Sequence, residues 1–297
     1  MPIRPNILTN ALARTQYVNG VIALKNQFTG VTTTSLGIPG PSRPVSTWDR
    51  FVAWHQAAMG VAHSRPIFLP WHRMMLRTLE RLIGTAVGNA NFGLPYWDWA
   101  ADGELSPAAQ LSAAIWNNNC MGSGSSAPGA FTMAAFPIRL DVGVGGALRQ
   151  VNRPLQRTRG VQTGTLPRRI STAAALARTP YDAAPWDRMA VGFRNHVEGW
   201  LGGAGPELHN RVHVWVGGDM LPSSSPNDPV FYLNHCNEDR IWEAWMVARG
   251  RTYRPLAGVG PVGQRIDSPM ASPFGASLTP AMVLNMTAIY TYDSLVV

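Results

Sequence analysis

The sequence predicts a mainly α-helical fold: a central bundle of histidine-bearing helices, with long loops and little strand. Three observations predict it. Six of the seven histidines fall into two groups of three, each group spread over successive stretches with helical periodicity. Around those histidines, apolar residues recur at three-to-four spacing, the period of a helix buried along one side. Between the two groups, from Ala101 to about Ala184, the chain is rich in Gly, Pro, Ser and Ala, the composition of loops draped over a core. A hydrophobic share of 45% against 14% charged residues is enough to bury a large core, so the chain as a whole is not disordered. Length alone would allow two domains, but the pattern is read as one, residues 1–297.

The elements follow in order. Thr9 is the expected N-cap of a first helix with Leu12, Val18, Val21, Ile22 and Leu24 on one broad face. A Gly/Pro/Ser/Thr-rich connection runs from about Thr29 to Ser46. Thr47 then precedes a second helix carrying Trp48, Phe51, Val52, His55 and Met59 at helical spacing. A loop ending in Pro70 leads to a third helix from about Trp71, with Met75, Leu76, Leu79 and Leu82 recurring. Gly93 to Trp99 reads as irregular and aromatic-rich. Short helices are expected near 107–116 and 171–178, then at about 186–201 and 206–214. The strongest late helix is 228–249, where Phe231, His235, Ile241, Trp242 and Trp245 recur. Val283 to Tyr292 is expected to form a short strand. No repeat of solenoid period is present.

Charge and composition exclude several function classes. The net charge is +8, and Lys25 is the sole lysine. The arginines are scattered, densest at Arg153, Arg157, Arg159, Arg168 and Arg169, and are read as solvated surface and compositional bias, with an acidic partner as the second choice. With no basic helix and no nucleic-acid motif, no nucleic-acid partner is expected. No apolar run approaches about 18 residues, so no membrane helix is expected. The segment Met1 to Asn6 lacks the apolar stretch of a signal peptide, which points to action in the cytoplasm or export together with a partner. Cys120 and Cys236 cannot build a disulfide framework or a cysteine zinc site, and two free thiols are favoured over one disulfide.

The histidines carry the chemistry. His209 and His213 are four apart, so on a helix both rings leave one face, and His235 opens the inward side of the next long helix. His55 shares a face with Phe51 and Met59, His63 sits in the following loop, and His72 enters the third helix. Taken singly, each could be an ordinary core histidine bonded to a carbonyl. Two groups of three, each spanning helices, are better explained as two tri-imidazole metal sites. The absence of carboxylate ligands argues against a di-iron bundle. Sulfur is absent too, because Cys236 points about 100° away from His235 around the helix. Imidazole-only ligation suits copper or zinc, and paired sites suggest a binuclear centre.

His63 with Phe68-Leu69-Pro70-Trp71-His72-Arg73, then Leu94-Pro95-Tyr96-Trp97-Asp98-Trp99, resembles the first copper-site signature of tyrosinases. Leu208-His209-Asn210-Arg211-Val212-His213-Val214-Trp215 with Ser225-Pro226-Asn227-Asp228-Pro229-Val230-Phe231-Tyr232-Leu233-Asn234-His235 resembles the second. Phe193 to Trp200 and the ending Tyr290-Thr291-Tyr292-Asp293 extend the resemblance, which is to the bacterial, Streptomyces-type members. It implies a helical bundle around a binuclear copper site, with His55, His63 and His72 on one copper and His209, His213 and His235 on the other.

Further implications follow from the same resemblance. Asn234 stands where relatives often have a histidine, but the second residue of that pair is the usual ligand. His196 matches a position that is not a ligand. Val61 stands where fungal, plant and molluscan members carry a cysteine cross-linked to the second ligand, so no such link forms here. Phe68 matches an aromatic residue packed near the copper pair, and also suits plain core packing. Asp228 and Asp239 are candidates to bond ligand N–H groups, or else to cap a helix or pair with Arg240. The implied activity is ortho-hydroxylation of monophenols and oxidation of o-diphenols to o-quinones, with O2 as co-substrate. Glu198 and Asn210 match residues that hold a water able to deprotonate the incoming phenol, although Glu198 could simply pair with Arg194. The segment Leu201 to Pro206 looks longer than in relatives. Val214 leaves the mouth of the site open to phenolic small molecules. Bacterial members often need a small copper-delivering partner protein, which also carries their export signal. Competing readings are a catechol or o-aminophenol oxidase, a haemocyanin-like oxygen carrier, and a zinc hydrolase. A carrier covers its site with a further domain, for which the chain past His235 is too short.

Overall fold

A computed structural model describes residues 1–124, 129–200, 205–271 and 278–297. Along the chain it shows β1 (Ile3–Arg4), α1 (Ala11–Asn26), β2 (Phe28–Thr32), β3 (Pro44–Ser46), α2 (Thr47–Ala62) and α3 (Phe68–Ala86). These are followed by α4 (Trp99–Gly103), α5 (Pro107–Leu111), β4 (Ile138–Val142), β5 (Leu148–Arg153) and α6 (Arg169–Leu176). The remainder comprises α7 (Phe193–Glu198), α8 (Leu208–Val216), α9 (Val230–Arg249), α10 (Pro280–Val283) and β6 (Thr291–Tyr292). The fold is mainly helical. The long helices α1, α2, α3 and α9 pack on one another, and their inward side chains belong to one hydrophobic core.

Local chemistry explains where the helices begin and end. Asn10, not Thr9, caps α1, with its side chain accepting from Ala13 N, and Leu12 faces solvent instead of the core. Ser46 caps α2: its hydroxyl accepts from Asp49 N at 3.1 Å and donates to the Asp49 carboxylate at 2.7 Å. The α3 helix starts at Phe68, before Pro70, because a proline in the first turn removes only an N–H that has no intrahelical partner. Phe68 therefore lies on α3, not in a loop. The helix expected over 186–201 shrinks to α7. Trp186 has a left-handed φ of 66°, which helix excludes, and Leu201 lies outside the described residues. The helix ends at Gly199, whose φ is 100°; a Cβ there would meet Glu207 O at 2.1 Å. Glycine is thus required where the end of α7 touches the start of α8.

Strand is scarce and pairwise. The β4–β5 hairpin was not expected, although Ile138, Leu140 and Val142 alternate with Arg139 and Asp141 as a half-buried strand should. The expected C-terminal strand contracts to β6, which pairs in parallel with β1 through Ile3↔Thr291 and Arg4↔Tyr292.

That small ladder seats a buried charge network. Asp239 on α9 accepts from Arg73 Nε at 2.5 Å, Arg4 Nη1 at 3.0 Å, Tyr290 OH at 2.7 Å and Tyr292 OH at 2.5 Å. Arg4 also donates to Glu80 on α3 at 2.9 Å. Both chain ends, α3 and α9 therefore meet at one set of fully paired charges. Asp239 contributes to this network, and not to a ligand histidine or Arg240. Asp228 likewise takes a two-pronged ion pair from Arg157, at 2.7 Å on each arm, and accepts from Val230 N at 2.9 Å at the head of α9. Arg157 is buried there, and Arg153, Arg168 and Arg169 also pair with carboxylates of the chain. Arg157 and the half-buried Arg153 thus brace loops, while Arg168 and Arg169 remain at the solvated surface as expected.

Breaking this network has a calculable cost. Asp239→Asn would leave the buried Arg73 only Glu243 at 3.5 Å and the buried Arg4 only Glu80, so stability should drop by about 3 kcal/mol. Denaturant unfolding checks this, and a loss below about 1 kcal/mol would contradict it. Burial pushes the Asp239 and Glu80 carboxyls up, but Arg73 and Arg4 for Asp239, and Arg4 and Arg77 for Glu80, outweigh it and hold both below the usual range. Their stabilisation is complete above the ordinary carboxylate range and is lost as pH falls through the depressed folded values. Acid unfolding should therefore begin below about pH 4, and Asp239→Asn should flatten that slope.

Candidate metal centre

The two histidine groups come together as two triads. His55 lies on the buried face of α2, His63 is the C-cap residue of the same helix, and His72 lies one turn into α3. Their ring centroids are 4.8, 4.9 and 5.7 Å apart. His209 and His213 stand on α8 and His235 on α9, with centroids 4.4, 4.7 and 5.8 Å apart. Within each triad one ring nitrogen per residue lies within 4.8 Å of the others. The triads share a wall: His72 and His235 stack at 4.2 Å and 10°. His209 Nε2 and His235 Nε2 are only 3.3 Å apart. His196 is buried but belongs to neither triad.

Backbone carbonyls decide which nitrogen is left bare. His55 Nδ1 bonds Ser223 O at 2.7 Å, His72 Nδ1 bonds Phe68 O at 2.8 Å, and His213 Nδ1 bonds Met220 O at 2.6 Å. A carbonyl only accepts, so each Nδ1 carries the proton and each Nε2 presents a lone pair. Those three Nε2 atoms are buried with no hydrogen-bond partner. His209 Nδ1 faces Asn210 Oδ1 at 2.9 Å and Glu198 O at 3.3 Å. Burial is the main force holding all six rings neutral: it brings His55 down to about 3 and His213 to about 4. His63, His72, His209 and His235 are also held well below the usual histidine range by burial and by neighbouring rings. Neutral imidazoles with a fixed Nδ1–H and an orphaned Nε2 are metal ligands in waiting. The donor set therefore fits a pair of borderline-soft metal ions.

Aromatic rings seal the floor. The Phe68 ring is 4.8 Å from His72 and 5.0 Å from His209, touching both triads. Phe231 is 4.1 Å from His235 and 4.9 Å from His55, and so does the same from α9. Sequence reasoning had Phe231 only as a core residue; its position one turn before His235 was the available signal. Both cysteines are free and buried, and Cys236 Sγ points to Leu94 O at 3.3 Å, away from the rings.

Above the floor lies a cavity of about 1160 Å³ that reaches the surface at Arg188 and Met189. His55, His63, His209 and His213 line it together with Glu198, Asn210 and Val214. Glu198 is held on both oxygens, accepting from Ser64 N at 2.5 Å and from Arg194 Nη1 at 2.9 Å. Burial pushes its carboxyl up against the opposing pull of Arg194. Asn210 turns its oxygen toward His209 and leaves its buried Nδ2 without a partner. The extra residues noted between the two side chains fall partly on 201–204, outside the described residues.

Residues 45–248 match the common central domain of tyrosinase. The chain is 37% identical to the tyrosinase of Streptomyces glaucescens over 262 residues, covering 83% of this chain and 89% of that protein. It is 38% identical to the tyrosinase of Streptomyces lincolnensis, covering 85% and 91%. Grixazone synthase of Streptomyces griseus is 33% identical, with 83% and 90% covered. Among solved structures, a polyphenol oxidase variant from Thermothelomyces thermophila superposes with a TM-score of 0.73 at 22% identity, covering 99% of this chain and 89% of that one. A functional unit of octopus hemocyanin shares the fold at a TM-score of 0.52 and 19% identity, with 99% and 69% covered. With all six histidines gathered into two triads, and with relatives alike over most of their length, the chain belongs to the tyrosinase family.

Proposed function

We propose that the chain is a copper-dependent phenol oxidase, which hydroxylates monophenols at the ortho position and oxidises o-diphenols to o-quinones with O2 as co-substrate. One observation carries the reading: six imidazoles gather into two adjoining triads, four of whose rings line one open cavity, with unpartnered Nε2 atoms among them. His55, His63 and His72 would hold one copper, and His209, His213 and His235 the other. When bound, such a pair supplies two-electron exchange with dioxygen and a landing site for a phenolate. The rest is the work of the chain. Burial keeps the rings neutral, backbone carbonyls aim three of them, Phe68 and Phe231 exclude water from the floor, and the cavity admits a phenolic ring past Val214. That opening to the surface favours turnover of phenolic small molecules over a closed oxygen carrier.

A monophenol has a pKa of about 10 and must lose its proton to bind a metal as phenolate. We assign that task to a water held between Asn210 Nδ2, an unused donor, and a remaining lone pair of Glu198. The second reading, a catechol or o-aminophenol oxidase, draws on a specific observation: both Glu198 oxygens already hold protein donors, as a purely structural carboxylate would. A small copper-delivering protein remains part of the proposal as a partner, reaching the floor through the same cavity.

Two substitutions test these assignments. His213→Ala should reduce bound copper from two ions per chain to one, because two imidazoles hold copper weakly in an open site; metal analysis of the purified variant checks it. Retention of both ions with full catechol oxidation would mean the ligand set is wrong. Glu198→Gln should lower kcat/KM for a monophenol by about a hundredfold and change catechol oxidation by much less. Parallel kinetics on matched monophenol, catechol and o-aminophenol substrates read this directly. Equal loss on all three, or a parent inactive on the monophenol, selects the second reading.

A further inference from the structure

Beside the second triad lies a carboxylate that the mechanism above does not use. Glu238 stands on α9, three residues after His235, and is 1% exposed. Its Oε2 is 3.1 Å from His235 Nδ1, but neither carboxylate oxygen completes an aligned hydrogen bond to any group. Among the described residues no arginine or lysine pairs with it. The guanidiniums nearby are committed elsewhere: Arg73 and Arg4 to Asp239, and Arg194 to Asp182 and Glu198. Asn234, one turn earlier on the same side of the helix, is also fully buried with both amide atoms unbonded. A buried acid with no partner costs the fold free energy, so packing alone gives no reason for glutamate here.

His235 is the complement to this cost. His55, His72 and His213 rest Nδ1 on neutral backbone carbonyls, and His209 adds a neutral amide oxygen. His63 Nδ1 and His235 Nδ1 have no such acceptor; the atom facing the latter, at 3.1 Å, is Glu238 Oε2.

We infer that Glu238 is a positioning residue for the second metal: its carboxylate accepts the hydrogen bond from His235 Nδ1–H, which fixes Nε2 as the ligand atom and strengthens that ring as a donor. The inference rests on the reading of His235 as a ligand. A carboxylate behind a ligand histidine is a recurrent way to orient and enrich the ring, and losing it typically costs ten- to a hundredfold in metal affinity. The same carboxylate is a liability in the metal-free chain. Glu238 should therefore weaken the empty protein while tightening metal at the second triad, two effects of opposite sign that a structural glutamate would not produce.

The test compares the parent with Glu238→Gln, which keeps an acceptor oxygen, and Glu238→Leu, which does not. Copper binding is measured by chelator competition, and melting temperature is measured on the copper-free proteins. Glu238→Leu should bind one of the two coppers about ten- to a hundredfold more weakly and melt higher than the parent when copper-free, while Glu238→Gln should recover most of the lost affinity. Parental affinity for both coppers in both variants would overturn the proposal, as would a lower copper-free melting temperature in both. Should Glu238→Leu not fold, Glu238→Ala takes its place: an about ten- to hundredfold weaker hold on one copper supports the proposal, and parental affinity for both overturns it. A parent that takes up no copper would instead overturn the metal-centre reading itself.

Discussion

Everything in this molecule answers to one demand: six imidazoles must stay neutral, dry and aimed at a common space. A histidine left to itself titrates near neutrality and turns either nitrogen outward. Here burial removes the charged form, and the Ser223, Phe68 and Met220 carbonyls accept hydrogen bonds from the Nδ1–H groups of three rings. The result is a surplus of buried lone pairs, illustrated by His209 Nε2 facing His235 Nε2 at 3.3 Å. Such an arrangement is unfavourable in an empty protein and becomes favourable when a cation occupies the space within each triad. The site is therefore built at the expense of stability, and other parts of the fold must hold it in place.

That support comes from the buried charges on the far sides of α3 and α9. Arg73 follows His72 and Asp239 lies one turn after His235, so the ion pair between them ties the two histidine-bearing helices together behind the rings. Arg4, Glu80, Tyr290 and Tyr292 fold both chain ends onto the same point. On the opposite flank, Gly199 lets α7 touch α8, which brings Glu198 beside His209 and over the cavity. The wall of the site and its floor are thus placed by separate devices, one ionic and one steric.

Much of this was legible in the sequence. The helical spacing of His55 with Phe51 and Met59, and of His209 with His213, marked the faces on which the rings converge, and the helical fold followed from the same periodicity. What escaped was set by contacts distant along the chain. Asp228 and Asp239 were candidates to bond ligand N–H groups, yet Arg157 and Arg73 take them, and nothing local announces a partner so far away in sequence. The carbonyl acceptors of Ser223 and Met220 have no side-chain signature at all. Two-residue strands such as β6 exist only because both chain ends meet there, so the longer strand expected over Val283 to Tyr292 reduced to the part that finds β1. Glu238 lay in plain view in a helix, but its isolation became meaningful only once its surroundings were known.

The central claim is that the two triads hold two coppers that share one cavity. Its most direct test is anomalous X-ray diffraction from crystals of copper-loaded protein, measured on either side of the copper absorption edge. The account predicts two peaks, one among His55, His63 and His72 and one among His209, His213 and His235, on either side of the contact between His72 and His235. A single peak, peaks outside the triads, or a signal at the zinc edge alone would contradict it.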